Sequence, residues 1–197
     1  MIRAIVFDAD GVLVKPKSWF VTGAHDLYGV PKMEFMDFIR GDFKRCTTGE
    51  LDLEVALVPL LKRWRVRASV PEFIRAWLEH ENVVDRGMLE EISQLRALNV
   101  PCFVGTNQER NRANFMRLEM GLQRATDGVF ASSDVGARKP DLAFFDRLAE
   151  RLHLEPADVL LFDDAHENVA GARAAGWCAE HFTTRDAFRK RLASYLK

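Results

Sequence analysis

Four short stretches of this 197-residue chain carry the residue types that chemistry needs: Asp8-Ala9-Asp10-Gly11, Thr106-Asn107, Lys139-Pro140 and Asp163-Asp164. Together they supply four carboxylates, one hydroxyl and one ammonium. Two like charges about 4 Å apart repel by about 4 kcal/mol at an effective dielectric near 20. Four carboxylates gathered in one place would make several such pairs, a sum that rivals the roughly 5–15 kcal/mol holding a whole domain together. If these acids converge, they require a cation. Oxygen-only ligands with no cysteine or histidine pattern select a hard ion, and an open site that also holds a phosphate suits Mg²⁺ better than Ca²⁺. Lys139 would add a fixed positive charge for an anionic ligand.

Convergence depends on the elements that carry these residues. Apolar, β-rich runs at Ile2 to Phe7, Pro101 to Gly105, Val129 to Ala131 and Val159 to Phe162, with a weaker one near Trp177 to Ala179, alternate with helical periodicity. That alternation predicts an α/β fold with a doubly wound, Rossmann-like parallel sheet. Ligands in such folds bind beyond the carboxyl ends of the strands. Asp8 and Asp10 follow the first run, Thr106 and Asn107 the second, and Asp163 and Asp164 the fourth, so all face one edge. A helix after Gly87 is expected to bury Leu89, Ile92, Leu95 and Leu98, and a helix beginning at Pro140 to bury Leu142, Phe145, Leu148 and Leu152. Glu167 to Ala175 reads as a helix stopped by Gly176. A closing helix with Phe188, Leu192 and Leu196 should follow Thr184.

The interval 15–85 breaks the rhythm. It lacks clear strands and reads as several helices punctuated by Pro31, Pro59 and Pro71. The expected division is an α/β core of residues 1–14 and 86–197 with an all-helical insertion, 15–85, between them.

Composition bounds the partners. Lys+Arg 28 against Asp+Glu 29 leaves a formal net charge of -1, without the broad basic excess of a protein that lives on nucleic acid or anionic membrane. No apolar run approaches the roughly 18 residues of a membrane span, and Asp8 and Asp10 interrupt any signal peptide. The expected location is cytoplasmic, with no nucleic-acid or membrane partner. None of these residues specifies an oligomeric state. Cys46, Cys102 and Cys178 show no C-x-x-C spacing and read as buried thiols rather than bridges or zinc ligands. The run Lys62-Arg63-Trp64-Arg65-Val66-Arg67 reads as a solvated helix end. Templates for a P-loop, a serine hydrolase and a dinucleotide site are missing.

Phe7-Asp8-Ala9-Asp10-Gly11-Val12-Leu13 resembles the first motif of the haloacid-dehalogenase-like (HAD) hydrolases, D-x-D-G-[TV]-L after an apolar strand. Val104-Gly105-Thr106-Asn107 resembles the second, Arg138-Lys139-Pro140-Asp141 the third, and Phe162-Asp163-Asp164 running on to Gly176 the fourth. The resemblance implies that Asp8 attacks phosphorus and carries a transient aspartyl phosphate, while Asp10 protonates the leaving oxygen and then deprotonates water. It implies Mg²⁺ held by Asp8, the Asp10 carbonyl and Asp164, with Asp163 as a direct or water-mediated ligand, and a phosphate gripped by Thr106, the Asn107 N–H and Lys139. The dehalogenases lack an acid at Asp10, so its presence points to phosphoryl transfer. The insertion resembles the helical cap that some members carry after the first motif.

The expected function is a Mg²⁺-dependent phosphatase of a small phosphorylated metabolite, a sugar phosphate first. A β-phosphoglucomutase-like phosphomutase and a non-catalytic phosphate-binding regulatory module are the alternatives. Within the cap, His25, Arg40, Lys44, Arg45 and Thr48 could meet a substrate or simply be surface. Trp19 and Phe20 read as packing more readily than as pocket lining. His166 reads equally as a site neighbour or as an ordinary loop residue.

Overall fold

Ala4-Ile5-Val6-Phe7 carries no polar side chain, and all four residues are completely buried. A strand apolar on both faces must lie at the centre of a sheet covered on both sides. In the computed structural model, which describes residues 2–195, this segment is β1 (Ala4–Phe7), the middle of a five-stranded sheet. The others are β2 (Cys102–Thr106), β3 (Gly128–Ala131), β4 (Val159–Asp163) and β5 (Cys178–His181), in the order β3-β2-β1-β4-β5. Every pair is parallel. The fold is the expected doubly wound one, with strand bounds shifted by one or two residues.

Helices cover both faces. Ile5 and Phe7 point into a core shared with α6 (Arg86–Ala97), α7 (Arg110–Leu118), the short α8 (Leu122–Ala125) and α12 (Arg185–Leu192). Val6 points the other way, toward α10 (Leu142–Leu152) and α11 (His166–Ala174). The period of two in β1 thus assigns the layers. A one-turn helix, α9 (Ser132–Val135), lies between β3 and Lys139.

Several helix details differ from expectation. Asp85, not Gly87, is the N-cap of α6, accepting the Met88 N–H at 3.1 Å, and the buried face runs through Met88, Ile92 and Leu95, leaving Leu98 72% exposed. Pro140 is not the first residue of α10: it follows a cis Lys139–Pro140 bond, Asp141 is the N-cap, and the helix starts at Leu142. That start turns Leu142 outward and puts Phe144 beside Phe145 and Leu148 in the core, with Leu152 half-buried. Leu196, assigned to the closing helix, lies outside the described residues.

Between β1 and α6 the chain forms α1 (Phe20–Tyr28), α2 (Lys32–Arg40), α3 (Asp42–Thr48), α4 (Leu53–Arg63) and α5 (Val70–His80). Pro31 precedes α2 and Pro71 sits in the first turn of α5, as helix starts tolerate, but Pro59 lies inside α4 rather than between helices. These helices share an aromatic core of their own, including Phe20, Phe35, Phe73 and Trp77. Trp64 belongs to it too and donates to Glu34 at 2.9 Å, while Lys62, Arg63, Arg65 and Arg67 around it are exposed, as a solvated helix end requires. The segments entering and leaving the insertion run antiparallel and pair: the Lys15 N–H donates to the Val83 carbonyl and the Asp85 N–H to the Leu13 carbonyl, both at 2.8 Å. Among the described residues no helix is long and apolar enough to cross a membrane. All three cysteines are free; burial pushes the Cys46 thiol up to about 11 and the Cys102 thiol up to about 12.

Candidate active site

Where β1 ends, the chain passes between the ends of β2 and β4, and the Asp8 N–H still bonds the Phe162 carbonyl at 2.9 Å. This fixes the Asp8 carboxylate at the sheet's rim, where it is nearly buried. It accepts the Ala9 N–H at 2.7 Å and lies 3.0 Å from Lys139 Nζ. Lys139 is itself 1% exposed, and its ammonium also reaches Asp163 Oδ2 at 2.5 Å. Asp163, at the end of β4, is wholly buried and takes further hydrogen bonds from the Ala165 N–H at 2.9 Å and from Asn168 Nδ2. One ammonium thus sits between two carboxylates from different strands. Burial alone would lower the lysine's pKa, but Asp8 and Asp163 hold it above its ordinary value.

The cluster carries more negative charge than Lys139 offsets. Burial pushes the Asp8 carboxyl up to about 7 against the pull of Lys139, with Asp163 and Asp10 adding to the rise. Asp164 is raised by burial and by Asp163. Asp8, Asp163 and Asp164 each offer a carboxylate oxygen within 4.8 Å of the others. An all-oxygen donor set short of positive charge fits a hard divalent cation. Within it, Asp163 is already engaged by Lys139, Asn168 and Ala165, whereas Asp164 is exposed. Gly11 explains how Asp164 comes so near the first motif. A Cβ there would lie 2.0 Å from Asp164 Oδ2, and its φ of +78° favours glycine as well.

Asp10 faces elsewhere. Its carboxylate accepts Gln108 Nε2 at 2.7 Å and Arg112 Nη2 at 2.7 Å. Arg112, in the first turn of α7, also pairs with Glu81 Oε2. Glu81 Oε1 in turn accepts the Phe20 N–H at 2.9 Å, the first residue of α1. Glu81 therefore joins both ends of the insertion to α7. Arg112 Nε is buried without a hydrogen-bond partner. Thr106 is buried at the end of β2. Asn107 does more than present a backbone N–H: its amide clamps the Lys139 backbone from both sides, Nδ2 to the carbonyl at 2.9 Å and Oδ1 from the N–H at 2.8 Å.

The structure thus brings Asp8, Lys139, Asp163 and Asp164 together, with Asn107 tied to Lys139 and Asp10 facing Gln108 and Arg112. The sequence reading missed Gln108, Arg112, Glu81 and the positioning role of Asn168. Arg112 had a signal: a charged residue in the first turn after a site-bearing strand faces the same edge. Glu81 had none, because Leu-Glu-His-Glu at a helix end looks like solvated surface. His166 begins α11 exposed, stacked on His181, whose Nε2 meets the Asp164 carbonyl at 2.9 Å.

Beside Asp10 lies a cavity of about 480 Å³ walled by the insertion on one side and by Asn107, Gln108 and Arg112 on the other. Trp19 and Phe20 both line it, the less favoured of the two readings of them; Phe20 serves also in the insertion's core. His25, Arg40, Lys44, Arg45 and Thr48 are not among its walls.

Comparison with known proteins gives a consistent outcome. A family model described as haloacid dehalogenase-like hydrolase matches residues 2–176. Validoxylamine A 7'-phosphate phosphatase of Streptomyces hygroscopicus is 30% identical over 102 residues, 51% of this chain and 48% of that protein. A sesquiterpene phosphatase of Aspergillus oryzae is 31% identical, covering 50% of each. The chain thus spans about half the length of these two relatives. Phosphoglycolate phosphatase of Chromobacterium violaceum is 26% identical across 90% of this chain and 83% of that protein. Among solved structures, a HAD-like family hydrolase from Porphyromonas gingivalis superposes with a TM-score of 0.83 at 23% identity, over 100% of this chain and 98% of that one.

Proposed function

The chain belongs to the haloacid dehalogenase-like hydrolases, and from that membership we propose that it is a Mg²⁺-dependent phosphatase of a small phosphorylated metabolite, working through an aspartyl phosphate on Asp8. The observation that carries this reading is Lys139 held between Asp8 and Asp163, because a buried ammonium beside a buried carboxylate offsets the charge of an anion that must approach an anion. The three relatives compared above are all named as phosphatases, which supports the same chemistry.

The residues divide the work as follows. Asp8 attacks phosphorus, forming the acyl phosphate as the ester P–O bond breaks. Asp10, oriented by Gln108 and Arg112, delivers a proton to the departing oxygen and then removes one from the water that attacks the acyl phosphate. Thr106 and the Asn107 N–H hold phosphoryl oxygens, and Lys139 stabilises the charge they carry. Asp8 and Asp164 would hold the metal with the Asp10 carbonyl, and Asp163, its oxygens engaged, would reach it through water. When bound, Mg²⁺ screens the phosphate's charge from the nucleophile. Residues 15–85 act as a cap over the substrate, on a core of 1–14 and 86–197.

Release of inorganic phosphate from acetyl phosphate in the presence of Mg²⁺ tests the reading. Asp8→Asn is expected to lower kcat by about 10³-fold or more, since the covalent step has no substitute. Appreciable residual turnover in that variant would remove Asp8 from the nucleophile's role. Interconversion of hexose phosphates without phosphate release would move the activity to a mutase.

A further inference from the structure

The cavity next to Asp10 says something about the alcohol that leaves. Resting on the phosphatase reading above, we propose that the substrate is a phosphate monoester of an apolar alcohol.

The walls that an entering group would touch are Trp19, Val21, Met36, Ile39, Phe43 and Trp77, contributed by four of the insertion's helices or their flanking residues. Behind these walls Phe20, Phe35 and Phe73 are at most 1% exposed, and the other exposed large apolar side chains of the insertion's helices, Leu27, Met33, Val55 and Val58, lie outside the cavity. Within it the insertion leaves Trp19 at 48% and keeps Val21, Met36, Ile39 and Phe43 only half-covered. Apolar surface left open inside a concave site marks a place for an apolar ligand.

Apart from the buried Arg112 Nε, the polar side chains on the floor face one another. Asp10 is taken by Gln108 and Arg112, Arg112 also by Glu81, Glu81 also by the Phe20 N–H, and Asn107 by the Lys139 backbone. A sugar hydroxyl brought in here would give up water and find few free partners, at a penalty of about five- to hundredfold in affinity for each one left unpaired. A hydrocarbon pays no such penalty. The cavity also opens onto Asp10, the proposed proton donor to the leaving oxygen, so the body bonded to that oxygen is the part that must occupy it. The cavity, of about 480 Å³, leaves room for such a body. This departs from a sugar phosphate as first choice.

The test is equilibrium binding by calorimetry to the full-length Asp8→Asn protein with Mg²⁺, using butyl, hexyl and octyl phosphate and glucose 6-phosphate. Each buried methylene is expected to tighten Kd by about two- to fourfold, and octyl phosphate should bind at least about a hundredfold tighter than the sugar ester. In Trp19→Ala, a half-exposed position, and independently in Ile39→Asn, the dependence on chain length should flatten. A Kd that ignores chain length, or glucose 6-phosphate binding as tightly as octyl phosphate, overturns the proposal. Turnover is read separately with the unmutated protein on acetyl phosphate, whose body is too short to reach the walls. Acetyl phosphate hydrolysis with a flat alkyl series defeats the apolar substrate alone. A steep alkyl series with no hydrolysis of acetyl or alkyl phosphate upholds the apolar cavity and defeats the phosphatase reading.

Discussion

Asp8 and Asp10 are two residues apart, yet their carboxylates have different partners, Lys139 for one and Gln108 with Arg112 for the other. At the scale of the residue, this separation suits a nucleophile and a proton carrier, which need different surroundings. Arg112 and Glu81 are both nearly buried, and removing one partner of such a pair leaves an uncompensated charge. Arg112→Met is therefore expected to lower the unfolding free energy by about 3–5 kcal/mol, read from urea denaturation. Adding Glu81→Gln should restore part of that loss without restoring activity, because Asp10 still lacks its guanidinium. A single variant as stable as the parent would show that the pair contributes nothing. The sequence displayed Asp8 and Asp10 through motif and spacing, whereas Arg112 and Glu81 lie 31 positions apart and meet only because α7 and the end of α5 are brought together.

At the scale of the element, Lys139 is placed by its neighbours' backbones. Asn107 at the end of β2 clamps it on one side. On the other, α11 passes close to the Lys139–Pro140 turn at Gly171, where a Cβ would lie 2.3 Å from the Pro140 carbonyl oxygen. Alanine in a helix ordinarily gains up to about 1 kcal/mol over glycine, but forcing atoms into a filled space costs about 1–3 kcal/mol. Contact with backbone, which cannot swing aside, makes the second effect win. Gly171→Ala should destabilise the protein and, by displacing Lys139, lower kcat/KM by about tenfold. A more stable variant with unchanged activity would mean that α11 does not set the lysine. The helix around Gly171 was legible from its alanine-rich run and Gly176; the close approach to Pro140 was not, since it depends on how α11 crosses the start of α10.

For the whole molecule, the carboxylate cluster is a charge imbalance that folding concentrates and a cation would relieve. A ligand that binds only the folded state at about 100 times its Kd stabilises it by about 2.7 kcal/mol, or about 5–10 °C in Tm at this chain length. Mg²⁺ should raise Tm by that order, chelation should reverse the rise, and Asp164→Asn should remove most of it. A Tm indifferent to Mg²⁺ in the parent protein would mean that Asp8, Asp163 and Asp164 do not form a metal site.

Sequence alone determined the layered α/β core, because alternating apolar strands and amphipathic helices can bury their faces in few ways. It also placed the acids and the hydroxyl at one rim, since each follows a strand and parallel strands end on the same side, whereas Lys139, separated from β3 by α9, reaches that rim through the fold. Within those elements it misjudged which residues turn inward, as at Leu98 and Leu142, where the helix start and the neighbouring layer set the buried face. Only the tertiary structure decided what stands opposite that rim: the Glu81 clasp, the guanidinium on Asp10 and the apolar wall of Trp19, Met36 and Ile39. Those contacts join helices that share no sequence period with the strands, so their pairing is fixed by packing between layers and not by any pattern along the chain.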